Sequence, residues 1–194
     1  MFDKFRSKFP LSDDKWNDYT SCFTRMQVPA KTILLQEGEV PKKMFLVEKG
    51  CIRVGFNNEG KDISFHFFFE DQVVASIESF RKEVPSTVFL ETIETSVIWW
   101  IHKKEVERIT NEILELPALR NKYIDRIFER SFDYMKHFVS FIRDSPEQRY
   151  LNLIKDTPQI VQRVPQHYIA SYLGISTVHL SRIKSKLQKK SKHF

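Results

Sequence analysis

Arg182 is the side chain in this sequence best suited to read another macromolecule: a planar, permanently charged fork able to donate two hydrogen bonds to guanine O6 and N7. At helical spacing, Thr177, Val178 and Ser181 share its face, and Val178 has only apolar contact to offer, for example to a thymine methyl. Ser176, His179, Lys184 and Lys186 are placed for phosphates or solvent. Val178, Leu180, Ile183 and Leu187 supply the apolar positions of the same helix. A reading helix must be held by a second one. Pro165 opens a helix at no hydrogen-bond cost, Ile169, Ala170 and Leu173 fall on one face of it, and Gly174 supplies the left-handed exit. With Ser176 as the next N-cap, residues 165–187 read as helix, forced turn, helix; an ordinary antiparallel helix pair is the alternative.

The residues I-A-x-x-L-G-I-S followed by L-S-R-I resemble the recognition motif of the Crp/Fnr family of bacterial transcription regulators. The resemblance implies a helix-turn-helix that binds specific DNA sequences. Many relatives carry a polar residue where Val178 stands, so their target sequence is not carried over. Relatives continue into a two-stranded wing, whereas only Gln188 to Phe194 follow Leu187 here; the wing is expected to be truncated, and the basic tail to touch phosphates nonspecifically or stay disordered.

Charge supports this division of labour. The net charge is +6, but from Glu147 onward nine Lys or Arg face two acidic residues, leaving 22 basic and 23 acidic residues in 1–146. A phosphate-binding domain joined to a neutral one has this asymmetry. With 194 residues, 41% hydrophobic and 29% charged, the chain has room for two soluble domains, and no apolar run approaches the ~20 residues of a membrane span. The N-terminus lacks a signal-like apolar segment, so a cytoplasmic protein is expected. Cys22 and Cys51 form no Cys-x-x-Cys pair and have no histidine at ligand spacing, so neither disulfide, zinc nor iron–sulfur chemistry is expected, and no metal site.

Upstream, Phe2, Phe5, Phe9, Trp16, Tyr19 and Phe23 fit short amphipathic helices, with Ser12 starting the second. From Val28 the runs TILLQ, KMFLVEK, CIRVGF, DISFHFFF, VFLETI and SVIWWI, rich in β-branched and aromatic residues, predict an all-β unit, with a hairpin at Asn57-Asn58-Glu59-Gly60. LLQEGEVPKKMFLVEKGCIRVGF is similar to the opening strands of the cyclic-nucleotide-binding β-roll, a double-sheet jelly roll; an unrelated β-sandwich is the alternative. The resemblance places Gly38 and Gly50 at turns where a side chain would clash with the facing strand. A jelly roll also admits a cupin-like metal enzyme, but His66 stands without a His-x-His pair.

Nucleotide-binding relatives hold the ribose with a Glu and the cyclic phosphate with an Arg. Here Val74-Ala75-Ser76 and Val84-Pro85-Ser86-Thr87 occupy those places, so conventional cyclic AMP binding is doubtful and no cofactor is expected. Ser76, Glu78, Arg81, Ser86 and Thr87 are the candidates for an altered effector pocket, an exposed Glu78/Arg81 pair being the alternative. After Pro117 comes a long helix in which Ile124, Phe128, Ser131, Met135, Phe138 and Ile142 recur at coiled-coil steps, with Tyr123, Ile127, Tyr134 and Phe141 widening the stripe. A dimer seam and an intrachain core both fit that pattern; the family's dimerisation helix lies here, and a homodimer is expected.

The expectation is thus an α+β chain. Residues 1–117 form a sensor β-roll with N-terminal helices, 118–144 a long dimerisation helix, and 145–194 a winged-helix-like helix-turn-helix domain. Its expected partners are duplex DNA, a second copy, RNA polymerase and an unidentified small-molecule effector. A DNA-binding regulator with a ligand-free sensor is the second reading; an enzyme or a protein-interaction module is the remote one.

Overall fold

The computed structural model describes residues 1–191, so the expectation for Lys192 lies outside the described residues. Two short helices, α1 (Asp3–Arg6) and α2 (Asp13–Ser21), precede the strands, and Ser12 caps α2 by accepting from the Lys15 N–H at 3.3 Å. Eight strands follow among the described residues: β1 (Thr24–Val28), β2 (Ile33–Leu35), β3 (Lys43–Lys49), β4 (Ile52–Asn58), β5 (Lys61–Phe68), β6 (Val73–Val74), β7 (Phe89–Thr92) and β8 (Ser96–His102). The one-and-a-half-turn helix α3 (Ile77–Lys82) separates β6 from β7. One sheet has the order β1-β8-β3-β6 and the other β2-β7-β4-β5. Strand β1, absent from the sequence expectation, pairs antiparallel with β8, so the first sheet gains an edge from residues read as helical or as linker.

Inward-facing Val28, Leu35, Phe45, Val47, Ile52, Val54, Phe68, Val74, Leu90 and Ile98 make the core of the strands. The hairpin turn has both left-handed residues its type requires, Glu59 (φ 52°) and Gly60 (φ 82°), and Asn57 Oδ1 accepts from the Gly60 N–H. Of the two glycines expected to avoid a clash, only Gly50 does so. A Cβ there would lie 2.2 Å from Ser96 Oγ, whereas one at Gly38 would meet nothing within 4 Å. Gly38 is required by its φ of 87° alone.

Helix α4 (Lys103–Glu115), not expected from sequence, precedes α5 (Pro117–Arg143), α6 (Pro146–Asp156), α7 (Pro158–Arg163), α8 (Gln166–Tyr172) and α9 (Thr177–Ser191). Compactness divides the chain differently from the three expected spans. One unit comprises Met1–Val54 and Phe67–Glu129; the other comprises Gly55–His66 and Arg130–Phe194, so the β4–β5 hairpin tip belongs with the C-terminal helices and α5 contributes to both. In α6, Leu151 and Ile154 sit at helical spacing that would suit a packed face, yet both are exposed while Tyr150 and Leu153 are buried; the four apolar side chains span more than one face, and the 150/153 row is the one that packs.

Candidate functional site

In the C-terminal unit, Ser145 accepts from the Gln148 N–H and Pro146 occupies the first turn of α6, which satisfies or removes amides that would otherwise be orphaned. Tyr150, Leu153, Ile160, Val164, Ile169, Ala170, Leu173, Leu180 and Ile183 are all buried, so α6 to α9 each place apolar residues in a core. Pro165 is the N-cap of α8 rather than its first residue. At the far end the Ile175 N–H reaches the Ala170 carbonyl and the Gly174 N–H the Ser171 carbonyl, both at 3.0 Å, with Gly174 at φ 67°. This is a Schellman exit, and it needs the glycine expected from sequence. Arg149, which nothing distinguished from the other basic residues of this region, fixes the arrangement. Its Nη1 donates to the Phe141 and Asp144 carbonyls and its Nη2 to the Leu173 carbonyl at 3.0 Å, tying the end of α5 to the end of α8.

Ser176 starts α9, accepting from the His179 N–H at 3.2 Å. Its hydroxyl is therefore occupied as a cap. Leu180 and Ile183 turn into the core, and Thr177, Val178, His179, Ser181 and Arg182 form an exposed face. Val178, 59% exposed, belongs to that outer face and not to the packed one. Lys184 is partly buried, and Lys186 is paired with Glu147 at 2.5 Å. Helix α9 continues through the expected tail to Ser191, so Gln188 and Lys189 are helical rather than loose.

The residues expected to line an effector pocket separate into two groups. Ser76 and Ser86 are buried and adjacent: Ser86 Oγ lies 2.9 Å from Ser76 Oγ and 2.6 Å from the Val88 carbonyl, and accepts from the Val88 N–H. The Ser86 backbone joins the Gly38–Glu39 turn through two hydrogen bonds. Glu78, Arg81 and Thr87 are exposed. Glu78 accepts from Lys82 one turn on, at 2.6 Å, and that contact holds its carboxyl below the ordinary range. An open groove of about 500 Å³ lies by the β2–β3 loop, lined by Leu34, Leu35, Val40, Pro41, Phe45 and the polar Glu39, Lys42 and Lys43.

Sequence reasoning also missed a buried ion pair in the strand unit. Arg53, 2% exposed, donates through Nε and Nη2 to one Glu91 oxygen at 3.2 and 2.7 Å, and its guanidinium sits 4.8 Å from the Phe89 ring centre. Flanked by core residues Ile52 and Val54, Arg53 had the alternation of an ordinary outward charge.

On α5, Ile124, Phe128, Met135, Phe138 and Ile142 are 40 to 74% exposed, and Ser131 is exposed with them. Phe132 and Val139 broaden the same stripe. Over 27 residues the helix is about 40 Å long. Among the described residues there is no group of three His, Cys, Asp or Glu placed to hold a metal, and no helix is long and apolar enough to cross a membrane.

Residues 25–112 match the cyclic nucleotide-binding domain family. No curated protein matches the chain. Among solved structures, the chain is similar to CLP of Xanthomonas campestris, a c-di-GMP-responsive global regulator, at 16% identity, with a TM-score of 0.72 and 93% of each chain covered. FixK2 of Bradyrhizobium japonicum is 14% identical, with a TM-score of 0.70 over 87% of this chain and 86% of that one. A CooA variant of Carboxydothermus hydrogenoformans gives 16% identity and a TM-score of 0.66 over 88% and 78%. The shared feature is the fold.

Proposed function

We propose that this chain is a homodimeric, sequence-specific DNA-binding transcription regulator of the Crp/Fnr type. The observation that carries the reading is α9: Thr177, Val178, Ser181 and Arg182 project from a helix whose opposite side is fixed by Leu180 and Ile183, at the end of a capped, glycine-dependent turn. Helices α8 and α9 then act as the helix-turn-helix, and Arg182 reads a guanine. The apolar stripe of α5 supports dimerisation, which would set two α9 helices about 34 Å apart on successive major grooves. RNA polymerase is a further proposed partner, and the strand unit is the proposed sensor of an effector other than conventionally held cyclic AMP.

The occupied Ser76–Ser86 contact and the Glu78–Lys82 pair favour one second reading, a regulator whose sensor has no ligand. Binding of the full chain to a library of duplexes, then to the selected site and its point variants, tests the proposal. Arg182→Ala is expected to lose roughly tenfold to hundredfold of the preference at one base pair. Equal affinity for all duplexes would refute it. Titrating cyclic AMP and cyclic di-GMP into the same assay separates the two readings; tight conventional cyclic AMP binding would overturn the sensor assignment.

A further inference from the structure

Within the C-terminal unit, the tip of the β4–β5 hairpin is fastened to the helices through Ser171 and through Tyr134, whose ring meets both Phe65, at 5.9 Å between centroids, and His66. Strand β5 lies at the edge of its sheet, where backbone groups need partners. Ser171 of α8 supplies them: its Oγ accepts from the Ser64 N–H at 2.9 Å and donates to the Asp62 carbonyl at 3.1 Å. Two residues along the strand, the His66 ring meets Tyr134 of α5 edge-on, with centroids 5.6 Å apart. One turn further along α5, His137 stacks on Tyr172 of α8 at 4.7 Å, with the tyrosine hydroxyl 3.2 Å from its Nδ1, and meets Phe141 edge-on at 5.0 Å. Two imidazoles thus sit where hairpin, α5 and α8 converge.

Arg130 of α5 acts on His66, Arg149 of α6 acts on His137, and the first histidine also feels the second, each disfavouring a further positive charge. We propose that His66 and His137 form a proton-sensitive latch, which holds the hairpin on α5 and α8 while both rings are neutral and releases it on acidification. Protonation would place two imidazoliums beside two guanidiniums in a half-buried site. The latch deepens the regulator reading, and rests on it only for the consequence that α8 carries the neighbouring recognition helix with it.

The sign follows from the direction of the shifts. Burial pushes His66 down from 6.5 to about 4, and Arg130 and His137 push the same way; burial and Arg149 lower His137. A histidine that titrates lower when docked stabilises the docked state fully above about pH 6.5, and that stabilisation declines from there down to its docked value near 4. For His66 alone, docking weakens about tenfold between pH 7.5 and 5.5.

The test uses the full chain without DNA, so it succeeds or fails independently of DNA recognition. Hydrogen–deuterium exchange at the Ser64 amide is followed at pH 7.5 and 5.5 and corrected for the intrinsic pH dependence of exchange. Protection is expected to fall about tenfold or more in the wild type, and to stay constant in H66F/H137F. In Ser171→Ala, which lacks the acceptor, it should be low at both pH values. Should the double variant not fold, His66→Phe alone is expected to remove most of the fall. Equal protection of the wild type at both pH values, or an undiminished fall in either histidine variant, overturns the latch.

Discussion

Replacing Gly50 by alanine isolates what the close approach of β8 demands. A Cβ at Gly50 would lie 2.2 Å from Ser96 Oγ, 2.6 Å from Ser96 Cβ and 2.8 Å from Ser96 Cα, so rotating the serine cannot relieve the overlap. The residue also sits at φ 110°, which side chains rarely adopt. Left-handed strain costs about 1–3 kcal/mol, and forcing extra atoms into a packed site costs about 1–3 kcal/mol more, so Gly50→Ala is expected to lose about 2–6 kcal/mol. Gly38 separates the two contributions. Its φ of 87° brings the strain without any neighbour within 4 Å, so Gly38→Ala is expected to lose only about 1–3 kcal/mol. Urea unfolding followed by tryptophan emission suits the comparison because Trp16, Trp99 and Trp100, the only tryptophans, all lie in the unit that contains Gly38, Gly50 and Ser96. Losses that agree within ~0.5 kcal/mol would refute the steric argument, that being the scatter of unremarkable surface changes.

Three further outcomes follow from contacts described above. Glu91→Leu should destabilise by about 3–5 kcal/mol by leaving the Arg53 charge buried, and adding Arg53→Met should recover much of that loss; an unfolding series in which the double variant is the least stable would contradict this. Phe138→Glu, at a position 67% exposed in the single chain, should leave folding intact and halve the mass measured by light scattering at micromolar concentration. An unchanged mass would remove the α5 stripe from the dimer proposal. Lys186→Ala should weaken binding to all duplexes and reduce the salt slope by about 1; because Lys186 already neutralises Glu147, an unchanged slope would mean the pair persists on DNA and the phosphate assignment fails.

The parts of this fold written in local rules were readable from sequence. Ser12 and Gly174 do what their residue types predict, and the hairpin at Asn57–Gly60 follows from the need for two left-handed residues. Long-range pairing was less legible. Residues 24–28 pair with β8, and their alternation is short, only Met26 and Val28 facing inward, while α4 was hidden by its charges although Val106, Ile109 and Ile113 recur at helical spacing. The exposed face of α9, proposed above to read DNA, was readable because the helix is amphipathic, with Val178 the position where an apolar residue lies outside the core. Arg53–Glu91, Arg149 and Ser171 were not, since each matters through a partner at least 24 residues away and has an ordinary local context.

The same distinction bears on control. A recognition helix needs one exposed face, which one element supplies, whereas an effector pocket needs groups from several segments to converge. In the segment from β6 to β7 the convergent groups are neutral hydroxyls already bonded to each other and to backbone, while Glu78 is spent on Lys82 and Arg81 stands at the surface. A buried phosphate without a cation would lose several kcal/mol, so an anionic effector held there requires α3 to turn Arg81 inward. That turn would break the αL exit at Glu83, whose carboxylate is held by Lys103 at 2.8 Å. The proposed sensor therefore either rearranges around α3 when it binds an anion or takes a neutral ligand that replaces the Ser76–Ser86 bond, and only the first should break the Glu83–Lys103 pair.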